Sequence, residues 1–333
     1  MLVMVLQSAS FGFKDSGTPL KAMLLSASVN VLAALALALL FGDPVLGVAL
    51  ATALAQWLSA AYLLGAMRSR LAPLLAATAN KRAALRRAFV PERAVVRSFL
   101  TFAGPAFFAM AGKVVCYAMM SFAAAGAGTI ALAAHQIGMQ VFFLFSNAGD
   151  AISNTVQAFL PATLPPRLRP DVDAFPPEAR ERRRGDLDAT RELILSAVKV
   201  AGLGGALNGL LAASISVVFG RAFTSSLEVL AEMQRVVPLM FASLLMHASV
   251  MVFEGCLFAS RITQYLAWSY LASTVVFTVG MFAARSAGAS LVAVWCTLFA
   301  YQVVRFVQFG WRVAQIAPLF AGPEGQNAPK PAA

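Results

Sequence analysis

Eight long apolar stretches divide this sequence, and each is long enough to cross a lipid bilayer as an α-helix. A hydrocarbon core of about 30 Å takes about 20 helical residues, and a helix satisfies its own backbone hydrogen bonds in lipid. A membrane β-barrel would need alternating segments of about 10 residues, a pattern that the sequence lacks. We therefore predict an all-α, polytopic membrane protein with eight spans, at about residues 20–41, 45–67, 98–123, 129–160, 192–219, 233–258, 264–284 and 290–311.

The composition agrees with a membrane protein and argues against nucleic acid as a partner. Of the residues, 59% are apolar and 12% are charged, whereas soluble domains average about 45–50% apolar and about 25% charged. Much of the net charge of +11 comes from residues 68–97, which hold eight basic residues and one acid. A positive charge concentrated in one connector is typical of the cytoplasmic side of a membrane protein. The expected partner is therefore the lipid bilayer and not nucleic acid.

The loops alternate between basic and non-basic along the chain. The basic set includes the linker 68–97, the connector 161–191 and the C-terminal tail. Since Lys and Arg are retained on the cytoplasmic face, we expect both termini in the cytoplasm or its organellar equivalent. The connector, with its paired prolines and mixed charges, is predicted to be a solvated loop, and residues 312–333 a disordered tail.

An internal repeat relates the two ends of the chain, as in many transporters built from duplicated bundles. Shifting residues 13–67 by 245 positions aligns them without a gap to 258–312. Identical pairs include Phe13/Phe258, Thr18/Thr263, Ala22/Ala267, Val31/Val276, Leu46/Leu291, Thr52/Thr297 and Gly65/Gly310. We expect residues 98–311 to form a complete C-terminal lobe of six helices, and residues 1–67 to be the C-terminal remnant of an N-terminal lobe. By the same offset, the parent protein would begin about 150 residues before Met1.

The span 129–160 carries polar residues along its full length. On a helical period, two neighbouring stripes hold most of them, and the opposite side is apolar with Val141 and Ile152. Polar groups are costly in lipid, so the polar face is predicted to border water or a polar interior. The candidate cleft residues on these stripes are His135, Gln136, Gln140, Asn147, Asp150, Asn154 and Gln157.

Asp150 is the leading candidate for ion coupling, because desolvation favours the proton-bound form of a carboxylate deep in a membrane. The alternative is structural: Asp150 pairs with Lys113, which lies near the middle of the preceding span, and this pair holds the bundle together. The two interpretations stay open, since a proton that breaks such a pair would also trigger movement.

The other ionisable residues in the spans lie closer to helix ends. Glu254 shares a helix face with His247, and it is either a functional group or a solvated residue near the cytoplasmic end. Arg305 and Lys199 are expected to extend toward the interface, and His135 to serve as a hydrogen-bonding residue. The sequence contains no hydrolase, metalloprotease or Walker motif, so we expect no enzyme activity and no cofactor. A metal site built on the two histidines alone is weakly supported.

Several segments resemble the multidrug and toxic compound extrusion (MATE) family, in the order and spacing of that family. Segment 13–19 (Phe-Lys-Asp-Ser-Gly-Thr-Pro) resembles the loop after its fourth helix, and 133–136 (Ala-Ala-His-Gln) with Asp150 resembles its eighth helix. Segments 253–261 and 293–306 resemble its last three helices. The plant and algal plastid-envelope branch is most similar.

The resemblance implies a twelve-helix fold of two six-helix lobes around a central cleft, of which this chain would carry helices five to twelve. It also implies export of small organic molecules or metabolites in exchange for H⁺ or Na⁺. This chain departs from the family at Lys113, where some members place an acid. The alternatives are a lipid-linked oligosaccharide flippase of the same superfamily and a non-transporting receptor or interaction protein. The expected location is the chloroplast envelope, with the plasma or vacuolar membrane as alternatives.

Overall fold

The computed structural model describes residues 2–13, 15–76, 93–164 and 187–316, and the regular structure within these ranges is entirely helical. Eight of the helices are long and apolar enough to span a membrane. The predicted all-α fold class with eight spans is therefore confirmed. In chain order, the helices of the described ranges are α1 Leu2–Gly12, α2 Gly17–Phe41, α3 Pro44–Ala76, α4 Arg93–Gly126, α5 Thr129–Thr163, α6 Leu187–Val218, α7 Gly220–Phe223, α8 Leu227–Ala259, α9 Thr263–Ser286 and α10 Leu291–Ile316.

Several helices extend beyond the apolar windows that predicted them, because polar residues continue a helix once it has left the lipid. The helix α4 begins at Arg93, inside the predicted linker. The helix α10 continues to Ile316, so the predicted disordered tail is wrong for residues 312–316. The rest of that tail, the middle of the linker and most of the 161–191 loop lie outside the described residues.

The chain divides into two compact units, Met1–Arg97 and Ser98–Ala333. In the first, α2 and α3 form a helical hairpin, and α1 packs against α3. Gly42 ends α2 with a φ of 65°, a left-handed conformation that glycine adopts without steric cost. Asp43 then starts α3, because its Oδ1 accepts hydrogen bonds from the N–H groups of Val45 (2.9 Å) and Leu46 (3.2 Å).

Asp15 starts α2 in the same way and also binds α3. Its Oδ1 accepts from the N–H groups of Gly17 (3.0 Å) and Thr18 (3.2 Å), and its Oδ2 lies 2.6 Å from Nη2 of Arg70. The hydrogen bonds from Thr18 and the positive charge of Arg70 hold the pKa of Asp15 below its usual value. A lowered pKa means that this contribution to stability is present at neutral pH and is lost as the pH falls into the acid range.

In the second unit, α8 is the central helix and packs against α5, α6 and α10. One apolar cluster surrounds its N-terminal half and includes Met240, Phe142 of α5 and Trp295 of α10. Another surrounds its C-terminal half and includes Leu257 and Phe309. Because α8 is covered by protein for most of its length, a charged residue on it must find its partners inside the unit.

Small residues allow α8 to approach its neighbours closely. A Cβ added to Gly255 would lie 2.8 Å from the backbone oxygen of Ser153 on α5, and one added to Gly205 of α6 would lie 3.0 Å from the backbone oxygen of Leu245. These short distances show that the helix backbones are in direct contact at the glycines. Small residues at helix interfaces drive helix association in lipid. The position of α5 against α8 is therefore set by Gly255.

Replacing Gly255 with alanine is expected to destabilise the second unit by about 1–3 kcal/mol, the usual cost of overpacking. The control is Gly202→Ala on α6, where an added Cβ meets nothing within 4 Å and where alanine gains about 0.5–1 kcal/mol over glycine in a helix. Thermal unfolding in lipid nanodiscs would compare the two variants. A melting temperature of Gly255→Ala equal to or above that of Gly202→Ala would contradict the close approach.

The helix boundaries repeat with the same offset as the residues. A shift of 245 moves α2 onto 262–286, and α9 is Thr263–Ser286; the same shift moves the start of α3 to 289, and α10 starts at Leu291. Both hairpin turns contain a glycine with positive φ, 65° at Gly42 and 63° at Gly288. The two helix pairs therefore share the length of their first helix, the start of their second helix and a glycine with positive φ in the turn, which supports the interpretation of an internal duplication.

Candidate functional site

The exposed side of α5 carries five polar residues at membrane depth. The opposite side of this helix packs into the core of the second unit through Met139, Phe142 and Val156, which are buried. This packing fixes the rotation of the helix and turns the polar residues outward. The exposed residues of this polar face are Gln136, Gln140, Asn147, Asp150 and Asn154, and they extend over about five turns.

Two of the predicted cleft residues do not lie on the polar face. His135 is buried, with its ring packed against Trp295 at 6.1 Å and its Nε2 3.3 Å from the hydroxyl of Ser121. Gln157 is half-buried and donates to the hydroxyl of Ser153 at 3.3 Å. The placement of His135 in the cleft is therefore wrong, because its stripe of α5 turns toward α8 and α10, whereas its predicted role as a hydrogen-bonding residue agrees with the contact to Ser121.

Lys113 pairs with Glu254 and not with Asp150, which corrects the pairing considered from the sequence. Its Nζ lies 2.7 Å from Oε1 of Glu254. Among the described residues, no cation lies within ion-pair distance of Asp150. The sequence analysis considered only Asp150 as an acidic partner of Lys113, because the membrane depth of a residue does not reveal which neighbouring helix its side chain reaches.

Glu254 is also bound by a second cation. Its Oε2 lies 2.8 Å from Nη2 of Arg305 on α10, and it accepts a hydrogen bond from the hydroxyl of Tyr270 on α9. Glu254 is 4% exposed and Arg305 is 1% exposed. The solvated position considered for Glu254 and the interfacial position expected for Arg305 are therefore both wrong. The position expected for Arg305 follows from placing the end of α10 near residue 311, whereas the helix continues to Ile316. Glu254 lies close to the end of its own helix, but Lys113, Tyr270 and Arg305 surround it there.

Aromatic rings and an amide complete the surroundings of Arg305. Its guanidinium lies over the rings of Tyr270 (4.6 Å), Tyr301 (5.3 Å) and Phe309 (5.4 Å), an arrangement that stabilises a desolvated cation. Its Nη1 also donates to Oε1 of Gln302 at 3.3 Å. We call Lys113, Glu254, Arg305, Tyr270 and Gln302 the buried ionic cluster.

The orientation of Gln302 sets the protonation of His247. Because Oε1 of Gln302 accepts from Arg305, its Nε2 faces Nδ1 of His247 at 3.0 Å as a donor. Nδ1 must then be an acceptor, so the proton of the neutral imidazole is on Nε2. A second proton on Nδ1 would place two donors against each other, and this contact therefore holds His247 neutral.

Some charged residues of the site are enclosed by protein, whereas Asp150 is exposed. The buried ionic cluster contains two cations and one carboxylate, and it therefore carries a net charge of +1. Asp150 lies on the exposed polar face, and it is close enough to Lys113, Glu254 and Arg305 to interact with them electrostatically. Asp150 thus remains open to an ion from water, whereas Glu254 is enclosed by protein.

The cluster was missed from the sequence except for Lys113 and Glu254. A usable signal was present: one acid and two bases lie inside three apolar spans, and lone intramembrane charges require partners. The tyrosine and the glutamine gave no such signal, because neither carries a charge that needs a partner. Within the described residues, no group of three or more metal-ligating side chains occurs.

Comparisons with known proteins identify the fold. No family model matches the sequence. The chain is 25% identical over 304 residues to Protein DETOXIFICATION 47, chloroplastic, of Arabidopsis thaliana, a match that covers 91% of this chain and 51% of that protein. A crystal structure of a mutant of the Vibrio cholerae MATE transporter VcmN matches with a TM-score of 0.71 and 13% identity, over 94% of this chain and 66% of that one. The resemblance to the MATE family is confirmed.

A crystal structure of the same Vibrio transporter in its bent form also matches, with a TM-score of 0.68 and 13% identity, over 96% of this chain and 67% of that one. At this identity the structural match shows the MATE fold and not a shared activity. The chain spans about half the length of the curated relative that it matches. It is a multi-pass integral membrane protein with the helix arrangement of MATE transporters.

Proposed function

We propose that this chain takes part in secondary active transport, exporting small organic molecules or metabolites in exchange for H⁺ or Na⁺. The observation that carries the proposal is the polar face of α5, which holds an unpaired acid and four amides inside a span of the membrane. A lipid-facing surface would not tolerate such a row, because each polar group is costly in hydrocarbon. Transport is also the activity named for the matched protein VcmN, a MATE transporter, and we extend it to this chain as part of the proposal.

The chemistry of the polar face suits a solute pathway with ion coupling. The side-chain amides of Gln136, Gln140, Asn147 and Asn154 offer both donors and acceptors and carry no charge, so they bind polar solutes weakly enough to release them. Asp150 adds a single carboxylate that binds a proton or a monovalent cation. No covalent step is needed in such a cycle, which agrees with the absence of an enzymatic motif.

The proposed location is the chloroplast envelope. It rests on the relative from Arabidopsis thaliana, whose name describes it as chloroplastic. Expression of a fluorescent fusion in leaf cells would test it, since a signal in the plasma or vacuolar membrane would contradict it.

Cysteine labelling tests whether the polar face borders water. In a background without native cysteines, a cysteine at Asn147 or Gln140 is expected to react with a membrane-impermeant thiol reagent, because thiolates form only where water reaches them. A cysteine at Val141, which is 3% exposed, is expected to stay unlabelled. Mass spectrometry of the intact protein from labelled membranes gives the extent of reaction.

The matched control is a residue that is exposed to lipid instead of water. Leu207 of α6 is 57% exposed and lies among other exposed leucines, so a cysteine there is predicted to stay unlabelled despite its accessibility. Labelling of Asn147 and Leu207 to the same extent would show that exposure alone decides reactivity, and the proposed aqueous path would be abandoned. Labelling of neither would favour a non-transporting membrane protein.

A further inference from the structure

A carboxylate inside a membrane needs a countercharge, which can be a proton, a bound metal ion or a cation of the protein itself. Glu254 is 4% exposed, so water cannot fulfil this role. Both of its oxygens are occupied: Oε1 by Nζ of Lys113 at 2.7 Å, and Oε2 by Nη2 of Arg305 at 2.8 Å together with the hydroxyl of Tyr270. Each oxygen of Glu254 therefore already has a cation of the protein beside it.

The two cations differ in how firmly they are held. The guanidinium of Arg305 is enclosed by three aromatic rings and bonded to Gln302. Within the described residues, the ammonium of Lys113 is bonded to Glu254 and lies 5.5 Å from the ring centroid of Tyr270 and 4.0 Å from the sulfur of Met251. The Lys113 side chain is also 17% exposed, against 2% for Arg305. Lys113 therefore occupies the side of Glu254 that an ion from water would reach.

We propose that Lys113 determines ion specificity by acting as a resident cation: its ammonium fills the place at Glu254 that a solution cation would otherwise take. The ammonium is a compact point charge with three donors, and it stands where a Na⁺ ion would contact Oε1. Since it is tethered, it cannot be exchanged. Glu254 is then excluded from ion exchange, and exchange is left to Asp150 on the polar face. Only this last consequence rests on the proposed transport function.

The test compares the cation dependence of melting in the protein that keeps Lys113 and in Lys113→Met. Methionine keeps the length of the side chain and removes its charge, while Arg305 still neutralises Glu254, so the variant is expected to fold. In nanodiscs at equal ionic strength, Na⁺ in place of a large organic cation should raise the melting temperature of Lys113→Met by about 2–4 °C, since a ligand of the native state stabilises it. Both proteins carry Asp150→Asn, so that Asp150 cannot bind Na⁺, and the protein that keeps Lys113 should then show no response to Na⁺.

Two further variants locate the effect. Lys199→Met carries the same substitution at an exposed lysine of α6, and in the same background it should show no response to Na⁺. Adding Glu254→Gln to Lys113→Met should remove the response to Na⁺, because the carboxylate that binds the ion is gone. The double variant also avoids leaving two buried cations without an acid.

Each outcome decides the proposal, and none depends on transport. A Na⁺ response of the protein that keeps Lys113 would overturn it when Glu254→Gln abolishes that response, since Glu254 would then bind an exchangeable ion with Lys113 present. A folded Lys113→Met variant without any Na⁺ response would overturn it as well, because the ammonium would then be replacing nothing. If the responses are as expected but Asp150 proves unnecessary for transport, the resident cation stands and the proposed function fails.

Discussion

Replacing Glu254 with alanine is expected to destabilise the second unit by about 3–5 kcal/mol, the usual result of removing one partner from a buried ion pair. The size follows from the buried ionic cluster: Arg305 is 1% exposed and Lys113 is bonded to the same carboxylate, so the variant leaves two cations without a countercharge. Denaturant or thermal unfolding in lipid nanodiscs measures the loss.

The control is the exposed pair of Glu232 and Arg235 on the same helix, whose arginine side chain is 65% exposed. Glu232→Ala should cost about 0–1 kcal/mol, as solvent-exposed pairs do. Equal losses for Glu254→Ala and Glu232→Ala would show that the cluster is solvated in the membrane, and the resident role of Lys113 would lose its basis.

Replacing Asp150 with asparagine is expected to reduce gradient-driven efflux to the background of protein-free liposomes. Asparagine resembles the protonated acid but cannot release a proton, so the variant is held in one state of the proposed cycle. The melting temperature should stay near that of the wild type, because Asp150 is exposed and makes no ion pair within the described residues. Full transport by Asp150→Asn would disprove the coupling role.

The neighbouring variant Asn147→Asp serves as a control for the polar face, since it adds a second acid one turn away. The double variant of Asp150→Asn and Lys113→Ala separates coupling from counter-ion roles. If Asp150 only neutralised Lys113, removing both charges would restore transport. Because Lys113 is bonded to Glu254 instead, we expect the double variant to remain inactive although folded.

The fold was predictable from the sequence because length and hydrophobicity identify membrane helices. All eight spans, the polar side of α5 and the similarity to the MATE family followed from such local patterns. Helix ends were less predictable: Arg305 looked interfacial only because α10 was taken to end five residues early. A window of hydropathy stops at the first polar residues, whereas the helix continues for another turn.

The pairing within the site was not predictable, because it depends on which helices touch. Asp150, on the next helix in the chain, was considered as the ion-pair partner of Lys113 on α4. The observed partner is Glu254 on α8, 141 residues away in the sequence. Sequence order favours neighbouring spans, but the close approach at Gly255 and the central position of α8 decide the contacts. The orientation of the Gln302 side chain depends in turn on its hydrogen bond with Arg305. The spacing of residues in the sequence does not predict such side-chain hydrogen bonds.

The charge of the buried ionic cluster affects how a conformational change would depend on the membrane potential. With His247 held neutral by Gln302, the cluster keeps its net charge of +1, and the cluster together with Asp150 carries a charge of zero or +1 as Asp150 loses or binds a proton. Moving one elementary charge across a membrane potential of 100 mV involves about 2.3 kcal/mol. A rearrangement that moves the cluster and Asp150 together along the membrane normal would therefore contribute a voltage dependence when Asp150 is protonated and almost none when Asp150 is ionised.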